Sequence, residues 1–332
     1  MHPSASIIIL NFNGRRWLPA CFDALSAQRG APPFEIVLVD NGSADGSVEL
    51  VRERWPAARV VETGANLGFA GGNNAGAREA KGEWLVFLNN DTAPEPGWLA
   101  SLAEEAAAHP GFALVTSRVV FMDDPSVVDS AGDGYFRAGG AFKHGYGARA
   151  DAFETSREVF GACGAAFMIR RDAFDRLGGF DARFFMNFED VDLSYRARLL
   201  GCRVWYAASA IVRHAGSGSL GTMSPAAVYY GQRNLEWVWA KNTPPTLLWK
   251  TLPAHLVYAL AGVAHYVRAG KGWAAVRGKL AALAGLPWVV GERRRLQAAR
   301  TAPAGDLTPL MERDWLGAKR REKSFMTGRG RR

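Results

Sequence analysis

The chain reads as an α/β protein: a mainly parallel central sheet flanked by helices, then a C-terminal amphipathic helical region. Short apolar runs alternate with helix-periodic stretches over the first 110 residues, which is the pattern of βαβ units. The run WLVFLNNDT, residues 84–92, leads four apolar residues straight into Asn89, Asn90 and Asp91. Beyond Tyr229 the pattern turns helical, and tryptophans are interleaved with Lys and Arg.

The first strand is expected over residues 6–10, where a Ser/Ala lead-in precedes an apolar run. It has neither the basic start nor the long apolar core of a signal peptide, so the body is expected in the cytoplasm. Strands at 35–39, 59–62 and 84–88 follow, separated by helices at 17–28, 47–55 and 73–80. The loops after the first three strands carry Asn11 to Gly14, Asp40 to Ser43 and Gly64 to Asn74. Turn chemistry alone favours such residues. Three such loops on the edge where open α/β sheets bind ligands, with Asp91 beside them, point instead to a site.

In the middle, 114–121 reads as a strand and 129–147 as a Gly-rich aromatic loop. Small residues in the strand-like run 159–171 suit close approach of a ligand to backbone. Glu189, Asp190 and Asp192 then open a helix, and His214 follows the strand-like run 203–212. Acids in a first helical turn also serve as caps and complement the macrodipole. Three within four residues exceed that need, with Asp192 the best candidate for a structural role. For His214, metal binding stands against a satisfied buried histidine.

The net charge of +8 is unevenly spread. From residue 241 onward there are 18 Lys and Arg against 5 Asp and Glu; the first 240 residues hold 22 against 27. Helices are expected at 229–241, 246–267 and 274–286. The stretch 246–267 is long enough to raise a transmembrane span, yet it contains Pro253, His255 and His265, with Lys250 near one end. Interfacial helices on an anionic membrane surface fit better, with core packing or a homo-oligomer contact as the alternative. The end, ERRRLQ then KRREKSFMTGRGRR, reads as a solvated or lipid-facing basic tail, partly disordered. Cys21, Cys163 and Cys202 form no CxxC pair, which argues for a reduced compartment and against a zinc site. No nucleic-acid motif accompanies the basic end, so no nucleic-acid partner is expected.

In this order, NFNG, VDNGSADGS, NLGFAGGNNAG, FLNNDT, GACGAAFMIRR, GGFDARFFMNFEDVDLSYRARLLG and VRHAGSGS resemble family 2 glycosyltransferases over about residues 5–240. The bacterial rhamnosyltransferase-like members of cell-wall and O-antigen assembly are the most similar subgroup. The resemblance implies an inverting enzyme with a GT-A (Rossmann-like) catalytic domain at 1–240, membrane-associating helices at 241–300 and a basic tail at 301–332. It implies that Phe12, Asp40, Asn41, Asn66, Gly68 and Asn90 border the nucleotide, and that Asp91 and His214 hold a divalent cation, Mg²⁺ or Mn²⁺. Asp190, with Glu189 beside it, matches the catalytic base. Gly164, Arg233 and Asn234 fall in the acceptor or diphosphate region. The chain departs from the family's DXD motif at Asn89, which can offer a carbonyl oxygen but no charge.

The expected reaction moves a sugar, with rhamnose favoured by the resemblance, from a dTDP- or UDP-sugar to a hydroxyl of a lipid-linked or cell-surface glycan. Such an enzyme would sit peripherally on the cytoplasmic face of the inner membrane. A catalytically degenerate membrane scaffold and a sugar nucleotidyltransferase are the rival readings.

Overall fold

The computed structural model describes residues 3–216 and 224–329, so the last three residues of VRHAGSGS and the final residues of the basic tail lie outside it. In the first third, β1 (Ala5–Asn11), β2 (Phe34–Asp40), β3 (Arg59–Glu62) and β4 (Trp84–Asn89) alternate with α1 (Leu18–Ser26), α2 (Ser47–Arg54) and α3 (Gly68–Glu79). The expected strands lie within one residue of these bounds. α3 starts at Gly68, five residues before the expected helix, because the Phe185 carbonyl docks on its first turn and accepts from Phe69 N at 2.6 Å.

The second third contributes β5 (Thr92–Pro94), α4 (Trp98–Ala108), β6 (Phe112–Phe121), β7 (Val128–Ser130), β8 (Asp133–Phe136) and β9 (Ala141–Lys143). The region expected as a Gly-rich loop thus contains three short strands, too short for a period-two pattern to stand out. β10 (Arg157–Val159), β11 (Ala166–Arg170), α5 (Arg171–Leu177), α6 (Glu189–Leu199) and β12 (Arg203–His214) complete the main sheet and its cover. The single run expected at 159–171 is therefore split by the turn that carries Gly164.

The main sheet runs β10-β12-β6-β11-β4-β1-β2-β3, with β5 and β7 attached to β12 and β6. β1 is parallel to β2 and β4, whereas β11 runs antiparallel between β4 and β6. Both faces are covered, which explains the near-continuous apolar runs of the central strands. Ile8, Val37, Val39 and Phe87 pack on one face; Ile7, Ile9, Leu38 and Val86 pack on the other.

The C-terminal third is helical: α7 (Pro225–Asn242), α8 (Pro245–Arg268), α9 (Gly272–Ala284), α10 (Leu286–Ala299) and α11 (Ala304–Leu307). β13 (Met311–Glu312) and α12 (Trp315–Arg329) follow. The end read as a solvated basic tail is helical over its described residues, where Phe325 of α12 stacks on Phe121 at 5.7 Å, and the segment before it is packed. β13 pairs in parallel with β8, and Leu307 and Met311 enter a third core with Tyr135, Tyr195 and Trp237.

A buried charge cluster joins α6 to α7. Asp192, fully buried, accepts from Arg196 at 2.7 Å, Lys241 at 2.8 Å and Asn242 at 2.8 Å. Asp192 is thus occupied structurally. Burial opposes its charge, but Lys241 and Arg196 outweigh burial and hold the carboxyl below its ordinary range. Removing one partner from a buried ionic cluster is strongly destabilising, so Lys241→Met should lower the unfolding free energy by about 3 kcal/mol at neutral pH. Because the folded carboxyl titrates below the unfolded one, this contribution is present above the ordinary carboxyl pKa and is lost as pH falls through the lowered one. Urea midpoints at neutral and acid pH check both points: the gap between wild type and variant should close in acid.

Candidate active site

The parallel register of β1 with its neighbours sets Asn11 beside Asp40, and Leu10 beside Asn89. Asn11, wholly buried, donates to Asp40 Oδ1 at 3.3 Å and Ser43 Oγ at 3.1 Å, and accepts from Asn90 Nδ2 at 2.8 Å. The second oxygen of Asp40 accepts from Ser43 N at 2.9 Å. Beside this network, Asn41 bonds Asn66 Oδ1 at 3.0 Å and the Gly68 carbonyl at 3.1 Å, and accepts from Leu67 N at 3.0 Å. Phe12 stands exposed at the lip. Asp40, Asn41, Asn66, Gly68, Asn90 and Phe12 therefore share one sheet edge. Gly68 is fixed twice over: its φ is +72°, and a Cβ would stand 2.4 Å from the Phe185 carbonyl oxygen.

Asp91 and His214 meet because β5 pairs antiparallel with the end of β12, placing His214 opposite Thr92. His214 Nε2 lies 3.3 Å from Asp91 Oδ1, while Nδ1 donates to Asp129 Oδ2 at 2.7 Å. Lys143 Nζ bonds the other oxygen of Asp129 at 2.8 Å. Burial works against a charged imidazole, but the hydrogen bonds to Asp129 and Asp91 outweigh it and raise the His214 pKa to about 9. Metal-bound histidines commonly donate their second ring nitrogen to a carboxylate. The contact of Nδ1 with Asp129 turns Nε2 toward Asp91 in that manner. Once Nε2 gives up its proton, Asp91 and His214 fit a divalent cation that takes its remaining ligands from phosphates. Among the described residues no group of three His, Cys, Asp or Glu could hold a metal ion by itself.

Glu189 and Asp190 open α6 after a contorted approach, with Phe185, Asn187 and Phe188 at φ of 64°, 65° and 70°. Asp190 Oδ2 accepts from Gly164 N at 2.9 Å and Oδ1 from Val191 N at 2.8 Å. Gly164 precedes Ala165, whose carbonyl accepts from Asn89 N at 2.9 Å. The Asp190 carboxylate is therefore docked one residue from the end of the strand that delivers Asp91. Burial pushes the Asp190 carboxyl up, and the backbone N–H groups of Val191 and Gly164 oppose that rise. Burial and the charge of Asp190 push Glu189 well above its ordinary range, and Glu189 Oε2 has no hydrogen-bond partner among the described residues. Burial and mutual repulsion thus disfavour a second charge on this pair.

Arg233 and Asn234 meet the approach to this pair. Arg233 Nη2 donates to the carbonyls of Arg183 at 2.7 Å and Phe184 at 3.0 Å. Asn234 Nδ2 lies within 3 Å of the carbonyls of Phe184, Met186 and Asn187. Three polar residues of the site carry no local sequence signal: Asp129, Asp133 and Lys143. Burial, and then the Asp190 charge, push Asp133 well above its ordinary range, so it belongs to the same electrostatic cluster.

The family model described as Glycosyl transferase family 2 matches residues 6–178. An N-acetylglucosaminyl-diphospho-decaprenol L-rhamnosyltransferase of Mycobacterium tuberculosis is 32% identical over 214 residues, spanning 57% of this chain and 69% of that protein. The O-antigen biosynthesis protein RfbC of Myxococcus xanthus is 29% identical over 69% of this chain and 18% of its own length. Among solved structures, a mannosyltransferase from Pyrobaculum calidifontis in complex with GDP-Man and Mn2+ superposes with a TM-score of 0.52 at 21% identity, covering 90% of this chain and 86% of that one. S. aureus TarS gives a TM-score of 0.53 at 17% identity, over 76% of this chain and 43% of its own. The fold is GT-A, and the family match spans more than half of the residues: this chain belongs to glycosyl transferase family 2 and is a glycosyltransferase.

Proposed function

We propose that the enzyme transfers a sugar with inversion from a nucleoside diphosphate to a hydroxyl of a lipid-linked or cell-surface glycan, with rhamnose the leading donor sugar. The observation that carries this reading is the docking of Asp190 through Gly164 and Ala165 beside the strand end of Asp91. A proton acceptor and a leaving-group site on one edge are what an in-line displacement needs.

On this reading the base of the donor lies against Phe12 and is bordered by Asp40, Asn41 and Asn66, with Gly68 and Asn90 shaping the pocket. Asp190 takes the proton of the attacking hydroxyl, and partial burial raises its basicity toward working pH. Burial and the Asp190 charge disfavour a second charge on Glu189 beside it. Asp91 and His214 hold the cation site, and Asp129 with Lys143 fixes the imidazole. A bound Mg²⁺ or Mn²⁺ would act there as a Lewis acid for the departing diphosphate. Arg233 and Asn234 act by holding the carbonyls that precede Glu189. The rhamnosyltransferase relative is named for a diphospho-decaprenol acceptor, which supports the lipid-linked acceptor. The apolar stripe of Trp249, Leu256, Leu260 and Val267 on α8, all exposed, supports peripheral attachment to the cytoplasmic membrane face. In this scheme residues 1–240 are catalytic, 241–300 attach to the membrane and 301–332 add basic charge.

Thermal-shift and donor-hydrolysis assays with dTDP-, UDP- and GDP-sugars, with and without Mn²⁺, test the scheme. One nucleotide should raise the melting temperature only with metal, and Asp91→Ala should abolish that rise. Asp190→Asn should keep the rise while turnover drops about 10²–10⁴-fold. No response to any nucleotide would sink the assignment.

Gly164→Ala gives a geometric check. A Cβ there would stand 2.7 Å from Asp190 Oδ2 and displace the carboxylate. Turnover should fall about tenfold or more, with donor KM nearly unchanged; an unaltered turnover number would remove Asp190 from the reaction.

A further inference from the structure

The first turns of α7 and the start of α9 flank an open pocket of about 600 Å³. Its walls include Tyr229, Tyr230, Lys271, Trp273 and Arg277, and no Asp or Glu among the described residues lines it. Neither Lys271 nor Arg277 has a carboxylate within ion-pair distance among the described residues; Arg277 lies only over the Tyr229 ring, 5.8 Å from its centroid. Two cations without a carboxylate partner stand beside aromatic rings here, and a guanidinium beside an ammonium suits phosphate oxygens.

The two sides of the cavity differ in character. On one side Trp273 is 71% exposed and Val267 58% exposed, continuing the apolar stripe of α8. On the other, Tyr230 stacks on Phe185 at 5.0 Å, and Phe185 belongs to the segment that leads into Glu189 and Asp190. The cavity therefore joins a lipid-like surface to the back of the catalytic segment. A ligand that fits needs an apolar tail, a multiply charged head and a reacting group beyond the head.

We propose that this cavity seats the diphosphate of an isoprenyl-diphosphate-linked acceptor: Lys271 and Arg277 grip the phosphates, Trp273 meets the first isoprene units, and the sugar is directed past Phe185 toward Asp190. The assignment rests on the glycosyltransferase reading above and adds a place for the acceptor, distinct from the nucleotide edge.

Farnesyl diphosphate serves as the probe, titrated into the full-length protein by calorimetry. It should bind at least tenfold more tightly than inorganic diphosphate or farnesol, since both ends are recognised. The Lys271→Glu/Arg277→Glu variant should lose at least tenfold in affinity for it. Trp273→Ala should weaken farnesyl diphosphate but leave inorganic diphosphate unchanged. Melting curves with and without nucleotide confirm that the variants fold. Because the probe carries no sugar and needs no donor, loss of nucleotide binding would undo the catalytic scheme without touching this result. Three outcomes overturn the proposal. One is equal affinity of wild type and charge-reversed protein for the probe. Another is displacement of the probe by the nucleotide that stabilises the enzyme. The last is a charge reversal that abolishes binding to phosphatidylglycerol vesicles but spares the probe, which would make the cavity a seat for bilayer headgroups.

Discussion

The parallel register of β1 between β2 and β4 is the constraint on which the site depends. It sets Asn11 beside Asp40 and one residue from the level of Asn89, where Asn11 ties Asp40, Ser43 and Asn90 together. A buried polar network is stable only when its members satisfy one another. Asn11 does so from a fully buried position, between an apolar strand and the site it opens into. A register slip of one residue would turn Ile7, Ile8 and Ile9 to the wrong faces and separate these polar groups together. The core and the site are therefore specified by the same pairing.

That coupling explains what the sequence makes legible. The apolar runs of β1, β2 and β4 end in polar residues, so both the strand and the edge it serves can be read locally. Asp91 and Asp190 are visible for the same reason: each stands at the boundary between a regular element and a loop. Asp129 and Lys143 are not visible. They sit on three-residue strands, and the bond from Asp129 to His214 spans 85 residues. The tail misleads in the opposite sense. Its charge suggests a solvated segment, but Leu307 and Met311, spaced among polar residues, complete the core under α7.

The segment before α6 shows what holding a carboxylate pair requires. Phe185, Asn187 and Phe188 all take positive φ, a conformation that costs of order 1–3 kcal/mol for each such residue. The surroundings must over-determine it. Asn234 has two amide hydrogens for three nearby carbonyls, and Arg233 adds two further contacts. The Phe185 carbonyl caps the first turn of α3, so the strain also links the approach to α6 to the edge carrying Asn66 and Gly68. The Arg-Asn pair is recognisable in the sequence as a motif, but its work on backbone carbonyls is a property of the fold.

The same one-sidedness governs α8. By length and composition it is apolar enough to cross a membrane. The imidazole in its middle, however, is committed to the protein. His255 is buried, stacks on Trp239 at 3.7 Å and bridges the Ala138 carbonyl at 2.9 Å to Glu236 at 2.8 Å. Glu236 is held in turn by Lys279 of α9, and Tyr258 packs edge-on against Trp315. Crossing a bilayer would require releasing these contacts and leaving an imidazole and a carboxylate without partners, which hydrocarbon penalises heavily. Lying on the surface requires no such release. Trp249, Leu256, Leu260 and Val267 recur at multiples of three to four residues, so they face outward together while His255 stays bound. An interfacial α8 would keep the fold intact and set the mouth of the α7–α9 cavity at the depth where lipid-linked diphosphates lie, so the proposed acceptor site and the proposed membrane attachment need the same orientation.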